Sequence, residues 1–226
     1  MTTSRAEYLA KGVLGLESQP LSNIHSWRLC YDYFAQPDDA FDHDEGALRL
    51  RFFLASWGMF RPSSKLRDFS YFALSDVVAL LRLPSHTHLR GLALCDAIRK
   101  AKEVLALADE ITNALADKSL VDQTGKISKI TVTDTLRSKI ALGAMGCLPA
   151  YDRFFIAGAR KRGWNCHFDP HGMAELFRSA LSDREFRGFC AKLREDERCR
   201  SLPDMRLLDA YLNHLGRFEN GSRGTI

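Results

Sequence analysis

The chain has 226 residues, 46% of them hydrophobic and 27% charged, which is close to the globular average and enough for a sizeable core. No apolar run reaches the ~18 residues that a membrane helix needs, so a membrane-spanning segment is not expected. A net charge of +4 is too small to name a partner by itself.

Helical spacing of apolar residues dominates, and no repeat, low-complexity tract or Gly/Ser-rich linker divides the chain. One all-α, multi-helix domain over residues 1–226 is therefore expected. Residues 4–16 predict a first helix. Ser26 is placed to cap a second, which carries Trp27, Cys30, Tyr31 and Phe34. The acidic stretch 38–45 reads as a loop running into a helix start, where carboxylates suit the dipole. The helix over 45–60 has Leu48, Phe52, Ala55 and Met59 on one face, with Leu50, Phe53 and Trp57 widening it. Gly58 and Pro62 end it. A short helix over 75–83 stops at Pro84. The longest helix is expected over 89–117, as a central scaffold, because Leu92, Cys95, Ile98, Ala101, Leu105, Ala108, Ile111 and Leu115 hold one stripe. Residues 122–131 read as a loop or at most a short hairpin.

Thr133 predicts the N-cap of a helix reaching Met145, broken by Gly146 and Pro149. A new helix is expected to begin near Pro149 and run to Arg162. Asp169-Pro170 marks the start of a helix to Leu181. Ser182 with Glu185 reads as a capping box ahead of Phe186, Phe189, Cys190 and Leu193. Pro203 opens the last helix, Gly216 closes it, and residues 219–226 form a frayed tail.

The charge is unevenly spread. Residues 126–162 hold eight bases against two acids, so this segment carries +6 and the remainder −2. Such a local positive field is what an anion-binding face requires. Ahead of it, the helix end at Trp57-Gly58-Met59-Phe60-Arg61-Pro62-Ser63-Ser64-Lys65 offers stacking rings beside Arg61 and Lys65, a pattern suited to phosphates or a base step. The six cysteines are scattered and never form Cys-x-x-Cys, so reduced, packed thiols are expected. A zinc site from Cys166, His167 and His171 lacks a paired second half. The run Asp42-His43-Asp44-Glu45 reads as a solvated helix start. There is no P-loop, no His-Glu-x-x-His and no Gly-x-Ser-x-Gly, and no cofactor is expected. No apolar core follows the first residues, which sets the expected location as cytoplasmic.

The run Ser138-Lys139-Ile140 through Leu148-Pro149-Ala150-Tyr151-Asp152 resembles the core of helix–hairpin–helix DNA glycosylases over about 25 residues. In that family a helix bearing a lysine leads, after an apolar stretch, to a Pro-x-Asp-like segment that opens the next helix. Ser26-Trp27, Ser56-Trp57-Gly58-Met59 and Pro149-Ala150-Tyr151-Asp152 are also similar to a family of uncharacterised bacterial proteins. The family's Leu-Pro-Gly-Val-Gly-type hairpin has no counterpart here, because residues 131–138 contain no glycine.

The resemblance implies a glycosylase-like fold and cleavage of a base–sugar bond in DNA, with Asp152 as the catalytic carboxylate. Positive charge that develops on the sugar would be stabilised by Asp152. Lys139 would tune the site or attack as an amine. A base drawn out of the stack would lie among Trp27, Trp57, Tyr151 and Phe154. Lys129, Arg137, Arg153, Arg160, Lys161 and Arg162, with Arg61 and Lys65, would hold phosphates. Two other readings stand beside it: a helical module that binds nucleic acid through the same basic segment without catalysis, and a protein-binding scaffold in which the basic face is incidental. Oligomeric state is not readable from the sequence.

Overall fold

Short polar side chains close most helix starts and so set the segment boundaries. The computed structural model describes residues 4–20, 22–121 and 123–218. Ser4 accepts from the Glu7 N–H and Glu7 answers to the Ser4 N–H, a capping box that opens α1 (Arg5–Glu17). Asn23 precedes α2 (Ile24–Phe34). Asp42 accepts from Glu45 N–H at the start of α3 (His43–Ser56). The next three helices, α4 (Ser75–Leu81), α5 (Leu94–Arg99) and α6 (Ala101–Ala116), have no side-chain cap. Thr133, Asp152, Asp169 and Asp183 cap α7 (Asp134–Ala144), α8 (Arg153–Lys161), α9 (Pro170–Ser182) and α10 (Arg184–Arg194). The short α11 (Glu197–Arg200) leads to α12 (Asp204–Phe218). Antiparallel strands β1 (Ser119–Val121) and β2 (Ile127–Lys129) make one hairpin, with Leu120 opposite Ser128.

Several boundaries differ from the expected ones. Residues 89–117 are not one helix. A 3-10 turn covers Pro84–Leu89, Gly91 takes a left-handed φ of 61°, and Lys100 separates α5 from α6. Each piece packs on the same core with its own face: Leu92, Ala101, Ala108, Ile111 and Leu115 of the expected stripe are buried, but Cys95 is exposed and α5 buries Leu94 and Ala97 instead. The breaks themselves are held by tertiary bonds: Gly91 N–H donates to the Met145 carbonyl and Leu94 N–H to the Asp204 carboxylate.

α3 ends at Ser56, four residues early, with Gly58 at φ 73° and Met59 N–H folded back to the Leu54 carbonyl. Its buried face is Leu50, Phe53 and Leu54, whereas Leu48 and Phe52 point outward. Ser26 lies inside α2, bonded to the Asn23 carbonyl, and is not its cap. Ser182 ends α9, and the cap of α10 is Asp183. Pro149 does not begin a helix. Residues 149–152 are extended or irregular, and α8 starts only after Asp152. The polar stretch 122–131 contributes β2 of the hairpin. The frayed tail expected over 219–226 lies outside the described residues.

The centre of the molecule is α7 and the segment after it, not the 89–117 region. Every residue from 138 to 152 is buried. α7 packs on α2, α3 and α6, and Gly143 leaves the space that the Phe53 ring fills. Cys30, Cys147 and Cys199 are buried free thiols, and burial pushes the Cys147 thiol up to about 12.

α8 and α12 make the most extensive helix–helix contact in the described chain. Two glycines permit it. A methyl at Gly158 would fall inside the Leu212 carbonyl, and one at Gly216 inside the Phe154 carbonyl, so the two backbones touch directly. Gly216 was expected to close α12. It lies within the helix, where its lack of a side chain serves the crossing. Backbone cannot yield as a flexible side chain can, so Gly216→Ala is expected to cost about 3 kcal/mol, the upper end for overpacking. For a chain of this size that lowers Tm by about 6–12 °C, measured by thermal denaturation against the wild type.

Candidate functional site

The sequence brings a lysine and an aspartate to the two ends of the Gly–Pro break, and the fold turns that break into one corner. Lys139 sits in the second turn of α7, with its amine pointing to the loop that follows α3. Asp152 stands at the N-terminus of α8. The Asp152 Oδ1 accepts from the N–H groups of Phe154 and Phe155, satisfying two donors that the helix leaves open. Asn213 of α12 donates to the same oxygen at 3.3 Å. The other oxygen, Oδ2, lies 3.4 Å from the Lys139 amine. That amine also donates to the Trp57 carbonyl at 2.8 Å. The expected cation–carboxylate pair is thus formed, with Asp152 as helix cap rather than as a first-turn residue.

Both groups line a cavity of about 1080 Å³. Its walls come from α1, the 56–64 turn, the 131–135 segment, the start of α8 and one face of α12. Its floor is charged and scarcely solvated: Lys139 is 2% exposed, Asp152 9%, Arg206 4% and Asp209 1%. Arg206 and Asp209 pair at 3.2 Å, and Asp209 also accepts from the Ala150 N–H at 3.2 Å. Arg61, Arg153 and Arg217 add further positive charge to the lining, where five Lys or Arg side chains meet two carboxylates.

Burial depresses the Lys139 ammonium below the ordinary lysine range, against the pull of Asp152 and Asp209, which raises it. Burial pushes the Asp209 carboxyl up to about 7, opposed by Arg206. His214, also in the lining, is held below its usual value by burial and then by Arg217.

The aromatic side chains divide. Trp57 and Phe154 line the cavity. The guanidinium of Arg206 lies 5.2 Å from the Trp57 ring centroid, and those of Arg153 and Arg217 lie 4.5 Å and 4.4 Å from that of Phe154. Trp27 and Tyr151, expected in a base pocket, are core residues instead. Trp27 is buried, stacked on Tyr31, and donates its indole N–H to the Leu142 carbonyl. Tyr151 is buried between Phe155 and Phe168. Each lies in a run whose apolar neighbours draw it inward.

The expected phosphate contacts divide as well. Arg61 and Arg153 reach the cavity. Lys65 and Lys129 are exposed and stand outside its lining. They flank the bond from Thr131 N–H to the Ser64 carbonyl, which joins their two loops. Arg160 faces a separate hollow of about 450 Å³ with Trp164 and His167. The exposed Lys161 bonds the Leu215 carbonyl. Arg137 and Arg162, expected at phosphates, are paired within the chain instead. Arg137 is held by Asp134 and Asp109 and lies over Phe168. Arg162 is held by Asp183 and Glu185. Their charge is neutralised by carboxylates from elsewhere in the chain. Among the described residues, no group of three His, Cys, Asp or Glu side chains is placed to hold a metal ion.

Arg206, Asp209, Asn213 and Arg217 were not anticipated. The signal was a polar line at steps of three and four along the last helix, a pattern that a solvated face produces equally well. Compared with family models, with curated proteins and with solved structures, the chain matches none.

The raised Asp209 carboxyl has a consequence for stability. Between about pH 4 and pH 7 the folded chain keeps this proton while the unfolded chain, with an ordinary carboxyl, loses it. Its contribution to stability is therefore full at acid pH and falls as pH rises through that window. Asp209→Asn keeps an acceptor for the Ala150 N–H and removes the titration. Denaturant melts across the window are expected to show a flatter pH dependence in the variant than in the wild type.

Proposed function

We propose that this protein is a DNA base-excision N-glycosylase that cleaves the bond between a damaged or modified base and its sugar. The observation that carries this reading is the pairing of Lys139 and Asp152, 3.4 Å apart, on the floor of a large cavity with excess positive charge. The resemblance of residues 138–152 to the glycosylase core points to the same two side chains.

In this reaction the C1′–N bond breaks, its electron pair leaves with the base, and the sugar gains positive charge. Asp152 is suited to stabilise that charge because three N–H donors hold its Oδ1 and so fix the direction of Oδ2. A water adds its oxygen to C1′ and releases one proton, and the departing base takes up one proton. Lys139 supplies a second charged group at the reacting centre, kept close to Asp152 by its bond to the Trp57 carbonyl. Trp57 and Phe154 offer ring faces to an extruded base, and Arg61 and Arg153 offer charge to the flanking phosphates. The rim cations alone favour a second reading, a nucleic-acid-binding module without catalysis.

Asp152→Asn separates the two. Asparagine still caps a helix, so the fold is expected to persist. The enzyme reading predicts a fall of about 100- to 1000-fold in base release, followed as free base or abasic sites, with DNA affinity kept within a few fold. Wild-type protein that binds DNA and releases no base from any damaged or modified substrate would leave the binding module. Phosphate contacts predict a separate result: Arg61→Ala and Arg153→Ala each reduce the slope of log affinity against log salt by about one. Affinity insensitive to salt would remove DNA as the partner.

A further inference from the structure

Arg206 enters the cavity floor from α12 with only part of its hydrogen-bonding capacity used. Its Nη1 donates to Asp209 at 3.2 Å. Among the described residues neither Nε nor Nη2 meets an acceptor, and Nε is closed off from solvent. The side chain is 4% exposed and its guanidinium lies 5.2 Å from the Trp57 ring centroid and 5.6 Å from that of Trp27. A buried donor without a partner is costly, and native proteins keep few of them. Here the Arg206 side chain lines the site, held by a carboxylate that itself accepts from the Ala150 N–H, next to the segment ending at Asp152.

We infer that Arg206 reads the extruded base, and that it selects bases presenting an exocyclic carbonyl over those presenting an amino group at the same position. The inference rests on the base-excision reading and supplies its substrate class. Guanidinium carries N–H donors and no acceptor. A carbonyl oxygen in the cavity can accept from Nη2, whereas an amino group sets donor against donor in a place with little water. Asp209 already accepts from Arg206 and from the Ala150 N–H, and at 1% exposure it gives a base in the cavity little access to its remaining lone pairs. Lys139, the nearby cation of the floor, is likewise a donor only. Asp209 is then a positioning residue: it touches Arg206 and not the base.

Two pairs of bases exchange this group together with the proton on the adjacent ring nitrogen: uracil against cytosine, and hypoxanthine against adenine. Each base is placed in a DNA duplex opposite a stable abasic-site analogue, so that no pairing partner biases extrusion. Binding is measured with the Asp152→Asn protein, which holds substrate without turnover. The carbonyl member of each pair is expected to bind about 10- to 100-fold more tightly, the range of one good side-chain-to-base contact. Adding Arg206→Gln is expected to bring both ratios near one. Arg206→Lys keeps the charge opposite Asp209 and loses the planar fork, so it is expected to keep the fold and lose most of the ratio. It decides the matter if the glutamine variant does not fold.

Equal binding within each pair, preference for the amino member, or a preference that survives both Arg206 variants would overturn the inference. Absence of binding to all four duplexes would overturn it as well. The base-excision reading is scored separately, by free base released by the wild type. Release without carbonyl preference removes the inference alone. A carbonyl preference dependent on Arg206, with no release from any substrate, removes the catalytic reading and leaves a base-reading site.

Discussion

The carboxylate of Asp152 ties together the parts of the molecule that make the cavity. One oxygen closes the N-terminus of α8 and receives Asn213 from α12, while the other faces the Lys139 amine of α7. Three helices therefore converge on a single side chain. Removing a charge from water costs several kcal/mol even after relaxation, and a pair recovers this only with good geometry and further hydrogen bonds. Asp152 has those bonds from two backbone N–H groups and an amide. Lys139 has the Trp57 carbonyl. Each of the two charged side chains is thus held by more than one partner.

The glycine crossing of α8 and α12 makes this convergence possible. With the two backbones in contact at Gly158 and Gly216, the face of α12 that bears Arg206, Asp209, Asn213 and Arg217 is brought against the residues that open α8. Arg206 and Asp209 form a second buried pair beside the first, and Asp209 holds the Ala150 backbone just before the Asp152 cap. An apolar filling of the same space would stabilise the fold with less desolvation. Two buried charge pairs and an incompletely bonded guanidinium thus share one cavity, and burial displaces both the Lys139 amine and the Asp209 carboxyl from their ordinary ranges.

Much of the helical plan was legible in the residues. The Thr133 and Asp169 caps, the acidic start of α3 and the helices over 75–83 and 170–181 all follow from local signals that act within a few residues. So does the proximity of Lys139 and Asp152, since a short Gly–Pro break leaves the end of one helix near the beginning of the next. The breaks at Gly91 and Lys100 were not legible, because apolar residues keep helical spacing across them although each piece buries its own face. The burial of Trp27 and Tyr151 was not legible either: an aromatic residue reads the same in a core as on a binding surface. Arg162 read as a free cation because Asp183 and Glu185 are distant in sequence, and Arg137 because its second carboxylate, Asp109, is distant although Asp134 lies one turn away.

Local chemistry alone determined the all-helical character, the position of most caps, and the concentration of bases between residues 126 and 162. Hydrogen bonds to a helix end and apolar periodicity both operate over one or two turns, so they are written in adjacent residues. Tertiary structure decided which charges face the cavity, which aromatics line it, and that the last helix supplies half of its floor. Those outcomes depend on how closely α8 and α12 approach. That distance is set by two missing side chains, Gly158 and Gly216, whose effect appears only when the helices meet.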